Sequence, residues 1–231
     1  MTEDAALKAA MEAVSTATLT TVLLKRGLRN LWIRGAAPIS PGPRIVGRAF
    51  TLRFAPARED LATPAAWASP NSTRAAIEAM PVGAVAVIDA MGVSAAGVFG
   101  DILCQRMAVR GVAALVTDGA VRDIAGVRET GLAVWCAGAA APASVAALHF
   151  TGWGDVIGCG GVCVEPGDWI AADGDGAVVI PAAMAAEVAA AATEQEAFED
   201  WALAEVKAGA TLPGLYPPNA ETQARYAARK G

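Results

Sequence analysis

The chain has 231 residues, 55% hydrophobic and 18% charged, with a formal net charge of −5. That is ample apolar material for a core in one large domain, and far from the composition of a disordered chain. Basic residues never run beyond two in a row, so no phosphate-tracking stripe exists and nucleic acid is not an expected partner. In chain order, residues 3–26 read as helical, with Ser15 or Thr16 capping a second helix that stops near Gly27. APISPGP (37–43) is a loop, and RIVGRAFTLRF (44–54) alternates and is rich in β-formers, so it reads as a strand. Residues 55–70 carry three prolines and form an irregular excursion, after which Asn71 or Ser72 caps a short helix to Met80. Then comes a regular rhythm: strand 84–89, a glycine-containing loop 90–99, helix 101–110, strand 112–117, helix 123–130 and strand 132–136. Such β-α-β-α-β order implies parallel pairing through right-handed crossovers. From 156 to 180 the pattern changes to short strands broken by turns. Pro181 opens a long helix to about Lys207, and the tail is proline-rich and then weakly helical. With no repeat and no linker, residues 1–231 form a single α/β domain with a mixed sheet and a C-terminal helical tail.

Several familiar chemistries are excluded by residue counts. Four cysteines and one histidine are too few and too scattered for a zinc site: Cys159 and Cys163 have only His149 to join them. The cysteines read as free buried thiols. Gly92-Val-Ser94-Ala-Ala-Gly97 is one residue too long for a nucleophile elbow, and Gly152-Trp-Gly154-Asp-Val-Ile-Gly158 places its third glycine one position late for a dinucleotide fingerprint. Asp173-Gly-Asp175-Gly lacks the downstream glutamate of a calcium loop and reads as a turn between strands. The charge-free stretch 130–154 is interrupted by Pro142, His149 and glycines, so no membrane span is expected. The acidic start MTEDAALK has no secretory layout, which makes a cytoplasmic location the expectation.

The informative segment is GDILCQRMAVRGVAALVTDGAVRD, residues 100–123. A helix of about 10 residues travels roughly 15 Å, and the strand after it returns about 20 Å. Asp101 and the Arg122-Asp123 pair therefore share one rim of the sheet, at the carboxyl ends of adjacent strands, where open α/β sheets place ligands. The amides of Ile102 and Leu103 at the helix start are expected to be unpaired and to point outward as an anion site. Arg122 adds a fork suited to a carboxylate, and Asp101 and Asp123 add acceptors for a hard cation or a water. Spacing alone leaves two readings open: ordinary helix caps and a turn ion pair, or a site for a small anion chelated to a divalent ion.

Asp101, twenty intervening residues and Arg122-Asp123 resemble the D-x20-R-D signature of the RraA-like proteins, a family that includes the 4-hydroxy-4-methyl-2-oxoglutarate aldolases. GDIL and DGAVRD match in context, and VSTATL (14–19) and PGDWIAADGDGAVVIP (166–181) extend the resemblance over most of the chain. The resemblance implies an α/β/α sandwich of the phosphohistidine-swivelling type, assembled as a homotrimer or dimer of trimers with sites between subunits. It implies that Arg122 binds the carboxylate of pyruvate and that Asp123 is the direct protein ligand of Mg²⁺ or Mn²⁺. Asp101 would hold a water that moves the proton, and Gly100, Ile102 and Leu103 would supply backbone contacts to the substrate.

The activity implied is that of a carbon–carbon lyase, a metal-dependent pyruvate aldolase that also decarboxylates oxaloacetate. No Schiff-base lysine is needed, and Lys8, Lys25, Lys207 and Lys230 all lie in terminal segments away from the motif. Two departures bear on the substrate. Thr21 stands where many relatives carry an acidic residue, and the LPGLYPPNAETQARY tail differs from that of the characterised aldolases. Glu194, Glu196 and Glu199 are either a solvated helix face or a source of a carboxylate across a subunit boundary. The alternatives are a non-catalytic regulator that binds an RNA-degrading endonuclease, and a lyase for another 2-oxo acid. A pure binding protein has no physical need for both aspartates, which favours an enzyme.

Overall fold

The computed structural model of the chain describes residues 2–229. Its helices are α1 (Glu3–Glu12), α2 (Thr16–Lys25), α3 (Thr73–Ala79), α4 (Asp101–Val109), α5 (Ile124–Glu129), α6 (Ala185–Lys207) and α7 (Ala220–Arg229). Its strands are β1 (Ala37–Pro38), β2 (Ile45–Pro56), β3 (Val85–Asp89), β4 (Ala114–Thr117), β5 (Ala120–Val121), β6 (Ala133–Cys136), β7 (Gly138–Ala139), β8 (Leu148–Trp153), β9 (Trp169–Asp173) and β10 (Gly176–Ile180). The main sheet runs β1-β6-β4-β3-β2-β9-β10, with β8 also on β2, and β5 and β7 make a separate parallel pair. β2, β3, β4 and β6 are parallel, and β1, β8, β9 and β10 join antiparallel, so the fold is α/β with a mixed sheet.

Alternation along the central strands divides the core. Ala86 and Ile88 of β3, with Leu115 of β4 and Val134 of β6, pack under Ile77, Met107 and Val127 of α3, α4 and α5. Val85, Val87 and Val116 face the other way, onto Ile170, Val179 and the Ile157–Val164 segment. The sheet curls enough to bring its far end back, because Trp135 on β6 donates its indole N–H to the carbonyl of Asp173 at the end of β9, at 2.7 Å. The outer side of β9 and β10 carries Trp169, Ala171, Val178 and Ile180, which are buried against α1, α2 and α6. Helices thus cover both outer faces.

Differences from the sequence expectations have local causes. Ala37–Pro38 pairs at the sheet edge inside the expected loop, where a proline without an N–H is tolerated. β2 runs on to Pro56 because β8, a strand that the reading did not anticipate, pairs with its second half. Ser72, not Asn71, caps α3 by accepting the Ala75 amide. Pro181 lies outside the long helix: the Ala182 amide is held by Asp168, and a 3₁₀ turn at Ala182–Met184 precedes α6. The Asp173–Gly176 segment is the expected turn, between β9 and β10.

That turn has a second duty. Asp173 accepts hydrogen bonds from the Thr16 amide (2.9 Å) and hydroxyl (2.6 Å) at the start of α2, and pairs with Arg44 at 3.5 Å. Ser15 caps the same helix by accepting the Thr18 amide. Glu196 of α6 accepts from the Ser15 amide and hydroxyl, and Glu199 accepts from the Thr18 hydroxyl at 2.7 Å. These two glutamates are therefore neither a solvated face nor a free donor to another subunit; they clamp α6 to α2, while Glu194 stays exposed. Thr21 returns its hydroxyl to the Ala17 carbonyl within α2.

Burial by itself would raise the Asp173 carboxyl, but the Thr16 hydroxyl and amide, the Asp175 amide and Arg44 together hold it below its ordinary 3.8. The fold favours the ionised form, so this stabilisation is full above that value and disappears as the pH falls below it. Asp173→Ala is expected to cost about 1–3 kcal/mol at neutral pH. Urea melts should show the variant and the wild type converging in stability below about pH 4.

Candidate active site

The loops above the sheet are placed by one buried carboxylate. Asp118, immediately after β4, accepts hydrogen bonds from the amides of Ala90 (2.8 Å), Gly92 (3.0 Å) and Gly160 (3.0 Å). It thereby ties the loop after β3 and the 159–161 turn to the end of β4. The loop then climbs beside β5: Val98 donates to the Ala120 carbonyl, and Arg122 donates to that of Phe99, both at 2.9 Å. β5 pairs in turn with β7. Residues 97–101 and 120–123 are therefore laced together as backbone above the carboxyl ends of β3 and β4.

This lacing brings the three expected side chains to one place. A β-carbon on Gly100 would lie 2.7 Å from Asp123 Oδ2 and 3.0 Å from Arg122 Cγ. One on Gly126, in α5, would lie 2.9 Å from both Cβ and Oδ2 of Asp101. Only glycine permits these approaches, and the one at Gly126 sits in a helix, where alanine is otherwise preferred by about 1 kcal/mol. Gly100 occupies the cap position of α4 and provides no side-chain cap.

Asp101 instead folds back, and its Oδ1 accepts the Ile102 amide at 2.7 Å. This corrects the expectation of two free amides: Ile102 is already satisfied, because a short carboxylate reaches the next N–H. The Leu103 amide receives no side-chain cap. Asp123 sits at the start of α5 with φ +53°, in the left-handed region, and does not cap the helix with its side chain. A non-glycine residue there carries strain of about 1–3 kcal/mol, of the kind that clusters at functional sites.

Arg122 Nε donates to Asp123 Oδ2 at 3.0 Å, with both side chains about two-fifths exposed. Such a pair contributes at most about 1 kcal/mol. The terminal guanidinium nitrogens of Arg122 and Oδ1 of Asp123 have no protein partner among the described residues. All three side chains open into a cleft of about 260 Å³, which Gly97, Ile102, Leu103, Trp67, Arg74 and Ser144 also line. A cleft below the 300–1,000 Å³ of drug-sized pockets suits a small metabolite.

Other chemistries find no footing here. No group of three or more His, Cys, Asp or Glu side chains among the described residues can hold a metal. A cation at Asp123 would then have one carboxylate ligand and water for the rest, which fits Mg²⁺, an ion that keeps its waters. Cys104, beneath Asp101, is pushed up to about 12 by burial and by the Asp101 charge, so it stays a thiol. Cys159 is buried and Cys163 exposed. No described lysine lines the cleft; Lys25 pairs with Gln195, Lys8 lies 3.6 Å from Glu12, and Lys230 falls outside the described residues. Gly126, Asp118, Trp67 and Arg74 were not anticipated from the sequence. Asp118 opens the DGAVRD segment inside the motif and Gly126 lies just beyond it, where a glycine inside a predicted helix was the available signal.

The family model described as RraA-like, Aldolase/RraA, matches residues 14–179. A protein of Halalkalibacterium halodurans named "Putative 4-hydroxy-4-methyl-2-oxoglutarate aldolase" is 33% identical over 177 residues, covering 75% of this chain and 77% of that one. A solved structure of Streptomyces coelicolor RraAS2, described as an unusual member of the RNase ES inhibitor RraA protein family, is 34% identical. It superposes with a TM-score of 0.79 over 86% of this chain and 97% of its own. An uncharacterized protein from Pseudomonas syringae pv. tomato is 26% identical, with a TM-score of 0.78 over 91% of this chain and 96% of that one.

The left-handed backbone at position 123 makes a stability prediction independent of activity. Asp123→Gly relieves the strain and Asp123→Ala does not, so the glycine variant should be the more stable of the two by about 1 kcal/mol. Equal melting temperatures for the pair would show that the backbone there is relaxed.

Proposed function

The chain belongs to the RraA-like family, and from that premise we propose that it is a divalent-metal-dependent pyruvate lyase. It cleaves a 4-hydroxy-2-oxo acid of the 4-hydroxy-4-methyl-2-oxoglutarate type by a retro-aldol reaction and decarboxylates oxaloacetate as a side activity. The observation that carries this reading is the convergence of Arg122, Asp123 and Asp101 on one small cleft, with the Arg122 fork and one Asp123 oxygen unengaged.

Arg122 takes the substrate carboxylate through its terminal nitrogens, and the weak pair with Asp123 costs little to adjust. The Leu103 amide, at the start of α4, adds a donor to the same carboxylate or to the keto oxygen. Gly100 leaves the backbone bare, so the substrate can approach it closely. Asp123 would hold a Mg²⁺ or Mn²⁺ ion, which when bound would supply Lewis-acid stabilisation of the negative charge developing on the substrate. Asp101 is wedged against Gly126 and anchored on the Ile102 amide, which leaves Oδ2 to accept a hydrogen bond from a water. That water carries the proton from the 4-hydroxyl and returns one to C3 of the departing pyruvate.

The assembly that suits this site is a homo-oligomer, a trimer or a dimer of trimers, in the cytoplasm. Ile102 and Val109 lie seven residues apart on one face of α4, and they are 79% and 67% exposed. An apolar helix face beside the cleft is the surface that a neighbouring subunit would cover. No single helix among the described residues is long and apolar enough to cross a membrane. The regulator reading draws on the likeness to the Streptomyces coelicolor protein. Binding an endonuclease makes no use of a carboxylate fork beside two aspartates, and the assays below separate the two readings.

Pyruvate release from 4-hydroxy-4-methyl-2-oxoglutarate or oxaloacetate should require Mg²⁺ or Mn²⁺ and cease in chelator. Arg122→Lys should lose about 1.5–3 kcal/mol of transition-state binding, mainly as a raised KM, because the bidentate fork is gone. Full turnover in EDTA, or wild-type kinetics in Arg122→Lys, would sink the assignment.

Asp101→Asn should lower kcat by about 10²–10⁴-fold, with little change in KM or melting temperature. Gly126→Ala should also lower kcat, and with some loss of stability, since its methyl would lie 2.9 Å from the Asp101 Cβ, which is fixed to the backbone of α4 and cannot swing aside. If both variants turn over within threefold of wild type, Asp101 takes no part in proton transfer.

A further inference from the structure

A second arginine lines the cleft, and nothing in the fold accounts for its charge. Arg74 lies in the first turn of α3, where a positive side chain opposes the helix dipole. Its natural partner one turn later, Glu78, is taken: it accepts from Arg106 twice at 2.8 Å and from Arg110 at 3.1 Å. Arg74 has no carboxylate partner among the described residues. Instead its guanidinium rests over the ring of Trp67, 5.0 Å from the centroid, and Trp67 lines the same cleft. A flat ring under a planar cation limits its orientations while leaving its N–H edge free.

We propose that Arg74, seated on Trp67, is the residue that selects dicarboxylic substrates by binding the carboxylate remote from the keto group. The inference rests on the reading of Arg122 as the binder of the carboxylate next to that group. Two guanidiniums line one cleft of about 260 Å³, and a short diacid provides one carboxylate for each. A monocarboxylate leaves Arg74 unanswered. Arg74 is solvent-exposed, so the preference comes from the charged hydrogen bonds that a second carboxylate adds. Arg74 touches no reacting atom in this scheme; it sets which acid is held.

The test is calorimetric titration of the full chain, in the presence of Mg²⁺, with two probes that the site cannot cleave: pyruvate, with one carboxylate, and 2-oxoglutarate, with two. The wild type should bind 2-oxoglutarate at least tenfold more tightly than pyruvate. Arg74→Ala should erase that preference while keeping pyruvate affinity within twofold, which also reports an intact site. Arg74→Lys, which keeps the charge but loses the fork, should recover part of it. A preference for 2-oxoglutarate that survives Arg74→Ala, an absent preference in the wild type, or equal weakening of both probes overturns the role of Arg74. In the first two of these outcomes pyruvate still binds, and the pyruvate site stands. Failure of the wild type to bind either probe removes the pyruvate-site reading and this inference with it.

Discussion

The Asp118 carboxylate is the constraint on which the upper half of the molecule depends. It is 6% exposed and holds the amides of Ala90, Gly92 and Gly160 at 2.8–3.0 Å. Those residues belong to two segments that otherwise have no regular partner. Loops without such anchors carry backbone groups that must be satisfied by water, and they move accordingly. Removing one buried acceptor here would strand three donors, each at a cost of about 1–3 kcal/mol. With the loop root pinned, the backbone from Gly97 to Asp101 can run against β5 and deliver the start of α4 to the Arg122-Asp123 pair.

The carboxylates of this chain divide by how fully the fold satisfies them. Asp173 has the Thr16 amide and hydroxyl, the Asp175 amide and Arg44. Glu199 has Thr18, Gln195 and Tyr216, which together outweigh its burial and lower its pKa. These groups have their partners inside the chain, and they join helices to the sheet or to each other. Asp101 and Asp123 are different. Each has one oxygen engaged by an immediate sequence neighbour and one directed at open space or at a glycine. Asp123 adds a strained backbone that caps nothing. A fold that spends conformational strain on a residue with no structural task is consistent with a task that lies in the cleft.

Much of the architecture was legible along the chain. The alternation of strand and helix from 84 to 136 announced the parallel layer. The out-and-back lengths of α4 and β4 put Asp101 and Arg122-Asp123 on one rim. What escaped notice was short or aperiodic. β5 and β7 are two residues each, too brief for any pattern. β8, LHFTGW, mixes exposed and half-buried positions because only part of it faces the core, so its alternation is faint. The clamp of Glu196 and Glu199 on α2 was invisible because a glutamate on a long, alanine-rich helix looks the same whether it meets water or another helix's cap.

The sequence by itself therefore determined the class of fold, the order of its central elements and the residue types that share the rim. These follow from periodicity, turn chemistry and rise per residue, all local properties. Tertiary structure alone decided which of those residues are left unsatisfied. Glu78 was claimed by two arginines from α4 and its end, and Arg74 was thereby left with a tryptophan ring and an open cleft. Whether a charged group is paired depends on partners tens of residues away, so it becomes readable only once the chain has closed around it.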